Sequence, residues 1–418
     1  MILPILIFAS SLIFILFFPR RLGLISACAA VLCVALGLVS LADLREIAAI
    51  AWDATLSFVG IVLLALTLSR IGFFEWCALS LARLTRSVRV LFILVLALSA
   101  LCSAAFANDG AILILTPIVL AKIRALRLGA RTLAAFMLAS GLVIDFASLP
   151  FIFSNLTNIL TAGFFDLGFA EFFEAMWLPF LVASAISIAL LALFFARETS
   201  GAVDTSRLRD PREAIPNLKL FRLSWVFLVL LLAGYVSGEV AGLPVSVFAL
   251  GGALAFLAIC ASFGAVRPLE TLRAAPWGVI IFSVGLYVVV WGLKNAGLTD
   301  YLRGVFAYFA SVGELGGVLG VGVLSASLSA ALNNLPAMML GDVALEVLAE
   351  ASPKLVYAAV IGCDIGPKLT PFGSLATLIW LYYLAAQGVR ISLKRYIKAA
   401  LIITPPTLLA ALLALYFV

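Results

Sequence analysis

Residues 362–374 have the sequence Gly362-Cys-Asp-Ile-Gly-Pro-Lys-Leu-Thr-Pro-Phe-Gly-Ser374, and they interrupt an apolar segment that extends from about 355 to 385. Proline and glycine break or bend helices, and charged groups such as Asp364 and Lys368 are costly to place in hydrocarbon. Irregular backbone at membrane depth is tolerated only where protein or a water-filled cavity surrounds it. The stretch therefore predicts a polar site inside a membrane protein.

The composition of the whole chain also indicates a membrane protein. Hydrophobic residues make up 65% of the 418 residues and charged residues 11%, whereas soluble domains are about 45–50% apolar and about 25% charged. The apolar runs are continuous rather than alternating, which excludes a β-barrel and predicts an all-α polytopic fold. The chain has no histidine, which excludes HExxH zinc sites and Ser-His-Asp triads. We predict no cofactor and no metal.

Apolar windows of about 20 residues predict ten transmembrane spans. Two further apolar segments, 88–121 and 317–345, carry a polar cluster at the centre and are predicted to be re-entrant helical hairpins. The ten spans are predicted near residues 2–18, 22–42, 52–69, 131–160, 174–196, 220–238, 243–262, 277–293, 355–385 and 396–417.

The basic residues predict the orientation, because cytoplasmic loops are rich in Lys and Arg. Most of the 27 basic residues become cytoplasmic if both termini are periplasmic in a bacterial inner membrane and each hairpin returns to its own side. The net charge of +6 then reflects topology and does not indicate nucleic-acid binding. Segment 197–219 becomes a cytoplasmic linker, which is either a simple connection or a docking surface for a partner.

An internal repeat divides the chain into two halves. Residues 98–110 align without a gap with residues 324–336. Each half, 1–196 and 220–418, contains five predicted spans and one hairpin, and because five is an odd number the second half is inverted. The first hairpin enters from the cytoplasm and the second from the periplasm. Inverted-topology repeats with broken helices are typical of secondary transporters.

Four motifs place polar groups where hydrocarbon is expected: the two hairpin tips and the breaks in spans 131–160 and 355–385. We expect these motifs to meet near the bilayer midplane, where half-helix N-termini and polar side chains suit a small oxygen-rich solute. At any single motif, the glycines and prolines could instead serve only to kink a packed helix. The predicted substrate-binding residues are Asn108, Asn155, Thr157, Asn158, Asn333, Asn334, Ser374 and Thr377.

Four ionisable residues lie at predicted membrane depth: Asp109, Asp145, Asp364 and Lys368. Such groups persist by pairing or by exchanging protons, because a charge in hydrocarbon is costly. We predict that they include the proton-coupling sites, with Lys368 as the ion-pair partner of Asp364, four residues away. The alternative is that these two residues form a fixed structural pair.

Four motifs carry a family resemblance. They are Phe106-Ala-Asn-Asp-Gly-Ala-Ile-Leu-Ile-Leu-Thr-Pro-Ile118, Ser154-Asn-Leu-Thr-Asn158, Asn333-Asn-Leu-Pro-Ala-Met338 and Gly362-Cys-Asp-Ile-Gly-Pro-Lys-Leu-Thr-Pro-Phe-Gly-Ser-Leu-Ala-Thr-Leu378. Together they resemble the arsenical pump membrane protein family, the bacterial arsenite efflux permeases of the ion transporter superfamily. The resemblance covers nearly the whole chain.

The resemblance implies a transporter, not an enzyme, that exports arsenite and antimonite in exchange for protons. It also implies that some relatives act with a separate cytoplasmic ATPase subunit; this chain has no GxxxxGK[ST] loop of its own. Cys102 and Cys363 lie near the predicted site, and a thiolate could ligate a thiophilic metalloid. We favour a packing role for both, because a tight thiolate bond would slow release. Asp53 and Glu75 lie near span ends and are expected to be solvated.

Three other interpretations remain. The runner-up is a sodium-coupled carboxylate or anion carrier of the same fold. A passive channel would conduct without counter-transport of protons. An intramembrane aspartyl protease built on Asp145 and Asp364 would need two carboxyls that share one proton, and the neighbouring Lys368 argues against it.

Overall fold

The computed structural model describes residues 2–350 and 352–418, and these residues form α-helices, short 3₁₀ turns and loops with no β-strand. The all-α prediction is confirmed. The helices are α1 Ile2–Phe17, α2 Leu22–Ala35, α3 Leu41–Arg70, α4 Phe73–Ala82, α5 Val88–Phe106, α6 Asn108–Ala125, α7 Ala130–Phe146, α8 Leu156–Phe165, α9 Phe169–Phe194, α10 Leu218–Val240, α11 Val245–Ser262, α12 Pro268–Ala274, α13 Trp277–Asn295, α14 Leu298–Ser311, α15 Glu314–Leu332, α16 Asn334–Leu345, α17 Lys354–Ile365, α18 Leu375–Ala386 and α19 Leu393–Tyr416.

Eight helices of the described chain are long and apolar enough to cross a membrane, which makes this a multi-pass membrane protein. They are α3, α5, α9, α10, α11, α13, α15 and α19. The predicted count of ten spans plus two hairpins remains a prediction. One boundary differs clearly: α3 begins at Leu41, well before the predicted span 52–69. The cause is a capping box, in which Ser40 Oγ accepts from the Asp43 N–H and the Asp43 carboxylate accepts from the Ser40 N–H.

Helix breaks occur in the same order in both halves. The first half has the helix pair α5–α6, joined at Ala107, followed by α7 and α8, which are separated by an irregular stretch. The second half has α15–α16, joined at Asn333, followed by α17 and α18 with an equivalent interruption. Ala107 and Asn333 both have positive φ angles, of 60° and 88°, a conformation that is costly for residues other than glycine. The two helix pairs are thus joined by the same kind of strained residue. The inversion of the second half stays a prediction.

Small residues allow helices from the two halves to approach closely. A Cβ atom at Gly60 on α3 would lie 2.3 Å from the backbone carbon of Ala249 on α11. Similarly, a Cβ atom at Gly23 on α2 would lie 2.8 Å from the carbonyl oxygen of Gly278 on α13. Because hydrocarbon provides no hydrophobic drive between helices, close backbone packing of this kind is a main source of helix association in membranes.

The segment 197–219 is packed against the first half rather than free. The Val203 N–H donates to the Arg86 carbonyl at 2.7 Å, and the Val88 N–H donates to the Gly201 carbonyl at 3.1 Å. Asp210 forms an ion pair with Arg83 at 3.2 Å. These contacts hold the segment at the beginning of α5, next to the first helix pair.

Glu75, which was expected to be solvated, is partly exposed and also held by ion pairs. Its carboxylate lies between two cations, 2.5 Å from Lys122 Nζ and 2.6 Å from Arg209, and its side chain is only 30% exposed. Basic residues from α6 and from segment 197–219 both contact this acid. These contacts could not be predicted, because the residues are far from Glu75 in the sequence. Asp53 likewise has a partner, since its carboxylate accepts from the Ser246 N–H at 2.9 Å at the beginning of α11.

We predict that Gly60→Ala lowers the thermal stability of the detergent-purified protein. Alanine is favoured over glycine in a helix by about 1 kcal/mol, but overpacking costs about 1–3 kcal/mol, and the clash here is with rigid backbone. The matched control is Gly251→Ala on α11, where an added Cβ atom meets nothing within 4 Å and stability should be unchanged or higher. A melting temperature for Gly60→Ala equal to or above that of the wild type would contradict the packing argument.

Candidate functional site

The four helix breaks meet around one cavity. The N-terminal ends of α6, α8, α16 and α18 all contribute to its wall, together with the first turns of α13. The cavity has a volume of about 70 Å³. Its lining residues are Asp109, Ile112, Leu113, Asn155, Leu156, Pro276, Val279, Phe282, Asn333, Asn334, Leu335, Ser374 and Ala376. Because helix N-termini carry free N–H groups and partial positive charge, this wall favours oxygen-rich solutes.

Half of the predicted substrate-binding residues line this cavity: Asn155, Asn333, Asn334 and Ser374. The predicted proton-coupling residue Asp109 lines it as well. The structure therefore brings together residues that are up to 265 positions apart in the sequence. Their direct contact with a substrate stays a prediction.

The other four predicted substrate-binding residues are buried behind the cavity wall and bonded to protein groups. Asn158 Nδ2 donates to the carbonyl oxygens of Ser148 at 2.9 Å and Phe151 at 3.2 Å, which fixes the break between α7 and α8. Asn108, Thr157 and Thr377 each bond to one of the buried charged groups described below. They support the site in this structure rather than face its cavity.

The tip of the second helix pair is bonded to the break between α17 and α18. The Asn334 N–H donates to the Gly373 carbonyl at 2.9 Å, and Asn333 Nδ2 donates to the Phe372 carbonyl at 3.3 Å. The other side-chain atom of Asn333, its Oδ1, is buried without a hydrogen-bond partner among the described residues. Because an unpaired buried acceptor is costly, this oxygen is suited to accept a hydrogen bond from a bound solute.

A buried ion pair joins the two halves. Lys368 Nζ lies 2.8 Å from Asp145 Oδ2, and the two side chains are 1% and 2% exposed. Lys368 Nζ also donates to Thr377 Oγ1 at 2.6 Å, while Asp145 Oδ1 accepts from Asn108 Nδ2 at 3.4 Å. The prediction that Lys368 pairs with Asp364 is therefore wrong. Lys368 lies in the 3₁₀ turn Gly366–Leu369, beyond the end of α17, so the four-residue spacing is no longer a helical turn that would align the two side chains.

Asp364 has hydrogen-bond donors but no cation partner among the described residues. Its Oδ1 accepts from Asn155 Nδ2 at 2.9 Å and from Thr157 Oγ1 at 2.5 Å, both from the first half. Its Oδ2 is buried and has no partner. A carboxyl in this setting is poorly stabilised as an anion, since burial of an uncompensated charge is costly. Asp145 and Asp364 thus have different surroundings although their motifs correspond.

Sequence reasoning missed two parts of this region. The α13 residues Pro276, Val279 and Phe282 line the cavity, but their apolar side chains give no signal of a polar site. Asp342 on α16 is fully buried and accepts from Thr161 Oγ1 at 3.0 and 3.2 Å. A carboxylate inside the apolar segment 317–345 is a recognisable signal, and it was not assigned a role.

The cysteines Cys102 and Cys363 are buried, and neither is among the residues that line the cavity. Cys363 Sγ lies 3.8 Å from the Ser325 carbonyl oxygen on the packed face of α15. Both positions agree with the packing role that we favoured.

We predict that Asp145 and Lys368 are energetically coupled. Removing one partner of a buried ion pair costs about 3–5 kcal/mol, because the other charge is left uncompensated. Asp145→Asn and Lys368→Met should each lower the melting temperature of the purified protein markedly, and the double variant should lose much less than the sum. If the two single effects simply add in the double variant, the coupling inferred from the 2.8 Å distance is absent.

Comparison with known proteins agrees with the resemblance found in the motifs. A family model described as arsenical pump membrane protein matches residues 3–418. The chain is 42% identical to the arsenical pump membrane protein of Yersinia enterocolitica, with 98% of this chain and 97% of that protein covered. It is 41% identical to the protein of the same name from Escherichia coli (strain K12), with the same coverage.

A solved structure has a similar fold. It is the YdaH transporter of Alcanivorax borkumensis, with a TM-score of 0.57 and 18% identity, covering 91% of this chain and 89% of that one. At this identity the likeness concerns the fold alone. The family match and the two relatives extend over practically the whole chain, and the chain therefore belongs to the arsenical pump membrane protein family.

Proposed function

We propose that this chain exports arsenite, and also antimonite, across the bacterial inner membrane in exchange for protons, by alternating access to the cavity at the helix breaks. The names of its family and relatives support arsenical transport. The observation that carries the finer proposal is the cavity of about 70 Å³ in which four helix N-termini meet and Asp109 is the one charged lining residue of the described chain.

The size and chemistry of the cavity suit arsenous acid. This solute is largely uncharged at neutral pH and has three hydroxyl groups, so its recognition needs hydrogen-bonding groups rather than a cationic clamp. Asn155, Asn333, Asn334 and Ser374 supply such groups, and Asn333 Oδ1 is an acceptor without a partner among the described residues. The volume is far below the 300–1,000 Å³ of pockets for drug-sized molecules.

The same features disfavour the sodium-coupled carboxylate or anion carrier. A bound carboxylate is normally paired with Arg or Lys, and the described residues that line the cavity include neither. The nearby cation, Lys368, is held by Asp145 and Thr377. An anion would instead meet the carboxyl group of Asp109.

Asp109 can couple substrate and proton by mutual exclusion. As a carboxylate, it accepts a hydrogen bond from a hydroxyl of arsenous acid. When a proton arrives, the charge-assisted hydrogen bond is replaced by a weaker neutral one, and the solute is released. Asp364 supplies a second protonation site behind Asn155, whereas Asp145 forms an ion pair with Lys368.

The inward-directed proton gradient sets the direction of the proposed exchange. Protons enter from the periplasm and arsenite leaves the cytoplasm. An ATPase subunit, which the resemblance implies for some relatives, would bind the predicted cytoplasmic face, where segment 197–219 packs beside α5.

We predict that Asp109→Asn and Asp364→Asn each lower pH-gradient-driven arsenite uptake into everted membrane vesicles by at least about tenfold, because positioned proton carriers contribute factors of this size or more. The matched control is Asp300→Asn, an exposed acid on α14 that pairs with Arg303, and it should transport like the wild type. Wild-type coupling to protons in both the Asp109 and the Asp364 variants would overturn the assigned roles.

We predict that arsenite-sensitive cells that produce the chain accumulate less arsenite, and that a protonophore abolishes the difference. The protonophore collapses the gradient that drives the exchange. Cells in which the lowered accumulation persists after uncoupling would contradict proton exchange, and cells with no change in accumulation would contradict arsenite export.

A further inference from the structure

We propose that Asp342 is a proton relay that connects the periplasmic surface with Asp364 through Thr161 and Thr157. The proposal rests on the proton exchange of the proposed function and names a route for it. Asp342 lies on the second helix pair and Thr161 on α8, so the route crosses the interface between the two halves.

Asp342 has the surroundings of a carboxyl that changes protonation. Its side chain is fully buried, and both oxygens face the Thr161 hydroxyl at 3.0 and 3.2 Å. Among the described residues, no Lys or Arg forms an ion pair with it, unlike Asp145 with Lys368. A lone carboxylate at this depth loses its hydration and gains one hydroxyl donor, which does not compensate for the loss.

Helix α8 links this acid to the cavity. Thr157 and Thr161 are one helical turn apart, so their side chains lie on the same face of α8. Thr157 Oγ1 donates to Asp364 Oδ1 at 2.5 Å, and Thr161 Oγ1 donates to Asp342. The turn between the two hydroxyls spans about 5.4 Å, a gap that one water molecule can bridge. The order from the surface inward is Asp342, Thr161, Thr157 and Asp364.

The outer end of the route is another acid. Glu346 follows Asp342 by one helical turn and directly follows the end of α16. Its side chain is 47% exposed and pairs with Lys294 at 3.5 Å. The predicted topology places this end of α16 at the periplasmic surface. Two carboxyls one turn apart, one exposed and one buried, provide a step from water into the protein interior.

None of the other titratable groups on the helices around Asp342 forms an ion pair or hydrogen bond with it among the described residues. Tyr287 on α13 and Cys363 on α17 are within electrostatic range of it, and the Tyr287 hydroxyl is buried without a hydrogen-bond partner among the described residues. On α14, which packs against α16, Asp300 and Arg303 pair with each other at 3.1 Å.

The transfer balances in protons. When Asp342 is protonated, the Thr161 hydroxyl turns its hydrogen from Asp342 to the bridging water. The Asp342 carboxyl then gives its hydrogen to Thr161 Oγ1, and the hydrogen of Thr161 passes through the water to Thr157 Oγ1. Thr157 in turn gives its hydrogen to Asp364 Oδ1. Each hydroxyl gains one proton and loses one, and the net change is an ionised Asp342 and a protonated Asp364.

The test uses everted vesicles containing the full-length chain and two measurements. Net arsenite uptake driven by a pH gradient requires proton transfer, whereas exchange of labelled for unlabelled arsenite without a gradient requires the cavity and its alternating access. In Asp342→Asn, we expect net uptake to fall at least about tenfold more than exchange does. Asp342→Glu, which keeps a carboxyl, should restore much of the net uptake. Thr407→Val, which removes a buried hydroxyl on α19, is the matched control.

Each outcome decides one point. If the wild-type chain shows no proton-linked arsenite movement, the proposed function fails. If the wild type is coupled and Asp342→Asn is coupled equally, the relay alone is overturned. If Asp342→Asn loses both net uptake and exchange, or fails to fold, the variants Thr161→Val and Thr161→Ser decide whether the relay exists. Loss of net uptake in the valine variant with recovery in the serine variant supports the relay, and normal net uptake in the valine variant overturns it.

Discussion

Hydrocarbon cannot hydrogen-bond an unpaired peptide group, and this constraint determines how the four helix breaks are arranged. The helices α6, α8, α16 and α18 all begin at a break, and each beginning leaves free N–H groups. Some are bonded locally, as where Asn155 Oδ1 accepts from the Thr157 N–H or where the Asn334 N–H donates to Gly373. The four beginnings also share one cavity. The packing that makes the breaks tolerable therefore also creates a polar site.

Charges across the two halves complete this arrangement. Asp145 of the first half holds Lys368 of the second, and Asp364 of the second half is held by Asn155 and Thr157 of the first. A movement that separated Asp145 from Lys368 would leave two uncompensated charges, at a cost of several kcal/mol. We therefore expect transport movements to occur around this pair, with the helix-pair tips and α13 changing position relative to it.

Much of this organisation could be predicted from the sequence because its signals are local. Polar residues inside apolar runs located the breaks, and the predicted hairpin segment 88–121 agrees closely with α5 and α6. Pairing could not be predicted in the same way. Lys368 is four residues from Asp364 yet contacts Asp145, because the turn after α17 redirects its side chain. The partner of Asp342 lies 181 positions away, and no local pattern encodes a contact between α16 and α8.

The buried acids fall into two electrostatic classes, and the difference bears on coupling. Asp145 shares its site with a cation, Lys368. Asp364 and Asp342 contact only amide and hydroxyl donors along the face of α8. Neither of these two acids has a cation to offset its charge among the described residues, whereas Asp145 has Lys368. In the proposed exchange, the solute is arsenous acid, which is largely uncharged, so the membrane potential acts on the proton alone. The proposed chain of acids from the surface to the cavity is the route by which that force would reach the substrate.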